Sequence, residues 1–174
     1  MNILLVGFDG SRNSSKLLLD LIAPRYYQDK LYLDTLESRA IEEVFAHMER
    51  KPYEYVIFFS MKEEVQGNEI GFVRNAAKNG DVLSSNFPYD EMIHFLSESQ
   101  VSSKVEEGGE ESLANTIYYG GLEYMKQKQL GTKCILIKLP VITKMDVMEL
   151  SSQITKYFSI LVKGKQTSSQ LEKE

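Results

Sequence analysis

Asn2-Ile3-Leu4-Leu5-Val6 is a short apolar run that ends at Gly7, with no polar residue alternating inside it. That pattern belongs to a strand buried on both faces of a sheet, because a strand with one solvated face alternates and a helix needs a longer run. Two further stretches repeat it: Tyr55-Val56-Ile57-Phe58-Phe59 and Cys134-Ile135-Leu136-Ile137-Lys138-Leu139. Leu31 to Leu33 is a weaker strand of the same kind. Between these runs the apolar residues recur at helical spacing, over 14–22, 36–50, 88–98, 111–127 and 146–161; Ala40, Val44 and Met48 stand four apart in the second. Strands that alternate with helices predict an α/β protein with helices on both faces of a mostly parallel sheet. Residues 68–85 are polar and rich in glycine and asparagine, and read as a long irregular loop. Residues 163–174, KGKQTSSQLEKE, offer little to bury and read as a disordered tail after one domain spanning 1–162.

Composition narrows the function classes. The chain has 174 residues, 43% of them hydrophobic, enough for one ordinary core. Its 20 Lys and Arg are scattered among 25 Asp and Glu, for a formal charge of -5, which argues against a nucleic-acid binder, since phosphate recognition needs a basic face. No apolar run approaches the roughly 20 residues of a membrane helix, and the start lacks the basic, apolar and small-residue segments of a signal peptide. A cytoplasmic protein with no membrane partner is the expectation. Cys134 is the single cysteine, so no intramolecular disulfide forms; with only two histidines beside it, neither metal nor cofactor is expected.

Val101 to Asn115 reads VSSKVEEGGEESLAN. It resembles, without a gap, the segment of the pyroglutamyl peptidase I (pyrrolidone-carboxylate peptidase) family that reads roughly IPAxxSxxAGTYLCN. Other landmarks follow in the family's order: Gly7-Phe8-Asp9 after the first strand, Asn13-Ser14-Ser15, the segment Asn86-Phe87-Pro88-Tyr89-Asp90-Glu91, and Leu136-Ile137-Lys138-Leu139-Pro140. The resemblance covers most of residues 1–162. It implies the phosphorylase/hydrolase-like fold, a three-layer α/β/α sandwich around a mostly parallel, mixed sheet, with a strand over Val101 to Val105 and assembly as a homo-oligomer, dimer or tetramer.

The resemblance also implies a chemistry that this chain has not kept. In the family a cysteine at a helix start attacks the amide that follows an N-terminal pyroglutamate, a histidine is its base, and a glutamate orients the histidine. A neighbouring imidazole and a helix N-terminus both favour the reactive thiolate. Carried over residue by residue, the cysteine falls on Ala114, the histidine on Lys138 and the glutamate on Ile70, one residue from Glu69. Of the phenylalanines that sandwich the pyrrolidone ring, Phe8 remains and Ser112 replaces the other. Loss of that aromatic wall removes the stacking and burial that select the ring. Glu110 and Glu111 add acid beside the helix start, which raises rather than lowers the pKa of a nearby thiol.

Several other residues carry chemistry that a blander role also explains. Ser112 and Lys138 compose a candidate serine–lysine pair, which needs a lysine driven far below its ordinary pKa of about 10.4; the blander role is a polar helix start and a strand-end lysine paired with an acid. Cys134 lies inside an apolar run and reads as core rather than as a displaced nucleophile. His47 and His94 lie on helices and read as solvated or half-buried, with a subunit contact as the alternative for His94. Gly7-Phe8-Asp9-Gly10 lacks the full phosphate-binding glycine patterns. Tyr26, Tyr27, Tyr118, Tyr119 and Tyr124 read as core edges or interface residues.

The expectation is therefore an inactive relative of the peptidases that binds a peptide N-terminus or a small polar ligand. Its cleft is expected to involve Phe8, Asp9, Ser112, Ala114, Asn115 and Lys138. Two alternatives stand beside it: a hydrolase rebuilt on Ser112 and Lys138, and a structural subunit beside an active relative.

Overall fold

Ile3–Phe8 (β1) is buried along its whole length, as a strand with structure on both faces and both edges must be. The computed structural model describes residues 1–34, 39–62, 67–109 and 112–171. In chain order β1 is followed by Ser14–Leu21 (α1), Gln28–Leu33 (β2), Ala40–Arg50 (α2), Tyr55–Met61 (β3), Ile70–Val73 (β4), Asn75–Lys78 (β5) and Asp81–Ser84 (β6). Then come Tyr89–Glu98 (α3), Ser103–Glu106 (β7), Leu113–Gln127 (α4), Lys133–Leu139 (β8) and Val147–Leu171 (α5). The main sheet has the order β2-β1-β3-β8-β4-β7. Its pairs are parallel except β4 with β8, which is antiparallel.

Side chains of a strand point alternately to the two faces of the sheet, so each buried strand feeds two cores. Ile3, Leu5, Ile57, Phe59, Ile135, Ile137, Ile70 and Phe72 face one way and meet α1, α3 and α5. Leu4, Val6, Val56, Phe58, Cys134, Leu136 and Val73 face the other way and meet α2 and α4. This is the expected three-layer α/β/α arrangement with a mixed sheet.

Side-chain hydrogen bonds fix how the loops leave the strand ends. Ser15 Oγ accepts the Phe8 N–H at 2.9 Å, and Ser14 Oγ donates to the Pro140 carbonyl at 2.7 Å, so the first turn of α1 ties together the ends of β1 and β8. Asn13 caps α1, its side-chain oxygen accepting the Ser15 N–H at 3.0 Å. On β8, Asn86 behaves like a short strand: it donates to the Thr132 carbonyl and accepts the Cys134 N–H, both at 3.1 Å.

Two sequence expectations need correction, and a third is left untested. Residues 68–85 are not an irregular excursion, because they contain β4 and the antiparallel hairpin β5-β6. The hairpin turns at Asn79-Gly80 with φ of 51° and 79°, the backbone that an Asn-Gly pair adopts most readily. The last helix does not stop at 161: α5 continues to Leu171, since extending a formed helix through lysine, glutamine and serine costs little once its first turns are docked. The second helix is described from Ala40, and the expected start at Leu36 lies outside the described residues.

Tyr118 joins α4 to the sheet. It is fully buried and its hydroxyl donates to the Val73 carbonyl at 2.8 Å. Tyr118→Phe keeps the ring but leaves that carbonyl without its donor, so a loss of about 1–3 kcal/mol is expected in a urea unfolding experiment. A neutral result would mean that water replaces the hydroxyl.

Candidate functional site

The chain leaves β1 for β2 on one side and returns to β3 on the other, so the sheet order reverses between β1 and β3. Open α/β sheets bind ligands beyond the carboxyl ends of their strands at such a reversal. A cleft of about 1030 Å³ lies there. Phe8 ends β1, Ser60 and Lys138 pair in register near the ends of β3 and β8, and all three stand on the α4 face of the sheet. Ser112, Leu113 and Ala114 bring the start of α4 to the same cleft. Ser112 is the helix N-cap, its Oγ accepting the Asn115 N–H at 3.1 Å. The N-terminus of this helix favours a negative or partly negative group beside it.

The far wall is ionic. Lys104 and Glu106 alternate on β7, which places both on the α4 face with Gly71 and Val73 of β4. Glu106 Oε1 lies 2.7 Å from Lys62 Nζ, and the two side chains are only 20% and 16% exposed. Gly71 makes this pair possible: a Cβ there would come within 2.4 Å of the Glu106 carboxyl carbon. Lys104 Nζ stands 3.6 Å from Glu69 Oε1 and 3.9 Å from Glu106 Oε1. Glu107 pairs with Arg74 and accepts from Asn75 at 2.6 Å; Arg74 first, and Asn75 after it, hold the Glu107 carboxyl below its ordinary range.

Of the residues expected from sequence, Phe8, Ser112, Ala114 and Lys138 come together in the cleft. Three others do not line it. Asp9 is exposed beyond the end of β1, with its carboxylate accepting the Gly10 N–H at 2.9 Å. Asn115 is buried beneath the start of α4 and donates to the Ala77 carbonyl at 3.0 Å. Ile70 packs into the core on the opposite face of the sheet, and its neighbour Glu69 is the one that reaches the cleft. Glu110 and Glu111 lie outside the described residues.

Sequence reasoning missed Ser60, Lys62, Lys104, Glu106 and Glu107. The signal for the first two was positional, since they close a buried strand on the side where Lys138 closes its neighbour. Cys134 is fully buried, and burial pushes its thiol up, away from the reactive thiolate. His94 is exposed and stands 3.6 Å from Glu98 on the same helix; neither it nor His47 lines the cleft. Among the described residues, no group of histidine, cysteine and carboxylate side chains is placed to hold a metal, and no helix is long and apolar enough to cross a membrane.

A mostly parallel sheet between two helical layers, with a cleft at its strand ends and a helix N-terminus in it, is a three-layer α/β/α architecture. Solved structures specify it further. Pyroglutamyl peptidase I of Bacillus amyloliquefaciens superposes with a TM-score of 0.75 over 88% of this chain and 93% of its own, at 12% identity. The pyrrolidone carboxyl peptidase of the hyperthermophile Pyrococcus furiosus gives 0.74 over 94% and 99%, at 14% identity. A mutant of that enzyme gives 0.73 over 94% and 97%, at 15% identity. The fold is thus that of the pyroglutamyl peptidases, and at such identities the likeness is one of fold alone. No family model and no curated protein matches the sequence.

Proposed function

We propose that this chain is a non-catalytic protein on the pyroglutamyl peptidase fold, one that binds a peptide N-terminus or a small polar ligand in the cleft beyond β1, β3 and β8. The observation that carries the reading is Ala114, which lines that cleft in the first turn of α4, at the position to which the resemblance carries the nucleophile. A methyl group attacks nothing. Lys138 stands in the same cleft where the resemblance puts the base, and Cys134 is too deeply buried to substitute. To a pyrrolidone ring the cleft would offer Phe8 as its aromatic side chain, while the lining also carries Lys62, Lys104, Glu69 and Glu106. Such a lining suits a polar or charged ligand better than a neutral ring, which needs apolar and aromatic surface to be bound.

A second reading keeps one supporting observation: Ser112 and Lys138 line the same cleft. Against it, Ser112 Oγ is already engaged as the helix cap. Release of a fluorescent amine from pyroglutamyl and unblocked aminoacyl amides separates the two. The natural chain is expected to give background rates, roughly 10⁴-fold or more below those of an intact nucleophile-and-base enzyme. Turnover that Ser112→Ala abolishes would overturn the non-catalytic reading. Activity gained by Ala114→Cys with Lys138→His would support it by placing a nucleophile and a base where the cleft now lacks them.

A further inference from the structure

Resting on the reading of this cleft as a ligand site, we propose that Glu69 and Glu106 receive a primary ammonium group, the free N-terminus of an unblocked peptide. Lys104 holds their place as an internal surrogate until the ligand displaces it. The two carboxylates come from different strands: Glu69 precedes β4 and Glu106 closes β7. Between them stands the Lys104 ammonium, at 3.6 Å from one and 3.9 Å from the other. Neither separation is a hydrogen bond. The Lys104 side chain is 53% exposed, so water screens the attraction that keeps it there.

Glu106 is held quite differently. Its ion pair with Lys62 is largely buried, and its carboxyl group fills the space that Gly71 leaves by having no side chain. Glu69 is positioned as well, its Oε2 accepting from Ser102 Oγ at 3.0 Å while Oε1 faces Lys104. Positioned acceptors opposite a loosely held ammonium favour exchange. Lys104 regains hydration when it swings out, and a ligand ammonium, free of the strand backbone, can bring its three donors into hydrogen-bond range. A lactam or an acetylated N-terminus offers one neutral N–H instead of an ammonium, so on displacing Lys104 it would leave Glu69 without its cation and Glu106 with Lys62 alone. The cleft therefore selects unblocked N-termini against cyclised or capped ones.

The test is a calorimetric titration with alanyl-phenylalaninamide and its N-acetyl form, using the natural chain, Lys104→Ala, Glu106→Gln and Gly71→Ala. Thermal unfolding of each variant checks the fold. The free amine is expected to bind the natural chain, to bind Lys104→Ala about threefold more tightly, and to bind Glu106→Gln roughly tenfold more weakly. Gly71→Ala is expected to stay folded, because the group in its way is the end of a flexible side chain, and to bind as poorly as Glu106→Gln. The acetylated peptide is expected to bind the natural chain at least about tenfold more weakly than the free amine. Equal binding of the two peptides, or no gain in Lys104→Ala, overturns the ammonium inference alone. Failure of every variant to bind either peptide overturns this inference and counts against the binding reading beneath it.

Discussion

Phe58→Ala is expected to lower the unfolding free energy by about 3–5 kcal/mol, the range for truncating a large aromatic in a close-packed core. Phe58 is 1% exposed and lies in β3, which pairs with β1 on one edge and β8 on the other. Its ring lies under α4, with its centroid 6.4 Å from that of Tyr118. Packing on the helix side is already tight, since a Cβ on Gly121 would come within 3.2 Å of the ring. With both strand edges paired, the backbone cannot close the cavity. For a protein of this size the melting temperature should fall by roughly 6–20 °C. Met148→Ala, at a side chain 71% exposed on α5, provides the contrast and should stay within about 0.5 kcal/mol. Chemical denaturation of both variants decides it, and similar values for the two would mean that the α4 core is not packed as described.

Gly108→Ala should cost nearly as much, about 3 kcal/mol, and should disturb the cleft as well. A Cβ at this position would lie 1.8 Å from the Asn75 carbonyl oxygen and 3.0 Å from Val73 Cγ1. The obstacle is backbone, so no rotamer change relieves it. The loop that follows β7 would have to separate from β5, breaking the hydrogen bond from the Gly108 N–H to Asn75 Oδ1 at 2.7 Å. Asn75 also holds Glu107, so the ionic wall of the cleft shifts with the loop. Denaturation together with amide chemical shifts at residues 104–107 tests both parts. A variant of unchanged stability and unchanged shifts would contradict the close approach of the two segments.

Much of this was legible from residues alone. The apolar runs at Ile3, Tyr55 and Cys134 marked buried strands, because a segment covered on both faces has no position for a polar residue. Helical spacing marked the helices, and the order of short motifs along the chain pointed to Phe8, Asp9, Ser112, Ala114, Asn115 and Lys138 as one cleft, although Asp9 and Asn115 do not line it. The hairpin was missed although its turn, Asn79-Gly80, is the strongest local hairpin signal. Its strands are four residues long, each an apolar pair between polar ends, with Ala76 and Leu83 as their buried apolar residues, so no alternation announced them. The resemblance carried the family glutamate to Ile70, which packs into the core on the other face of the sheet, while Glu69 just before the strand lines the cleft.

The sequence by itself determined the alternation of strand and helix, the acidic balance, and the absence of a nucleophile at residue 114. These are properties of local composition, and each can be read within one segment. Only the tertiary structure decided that Lys62, Glu69, Lys104 and Glu106 form one ionic wall. That wall exists because β4 runs antiparallel beside β8 and carries β7 on its outer edge. Pairing between strands distant in sequence is settled by which faces can be buried together, and no local pattern records the outcome.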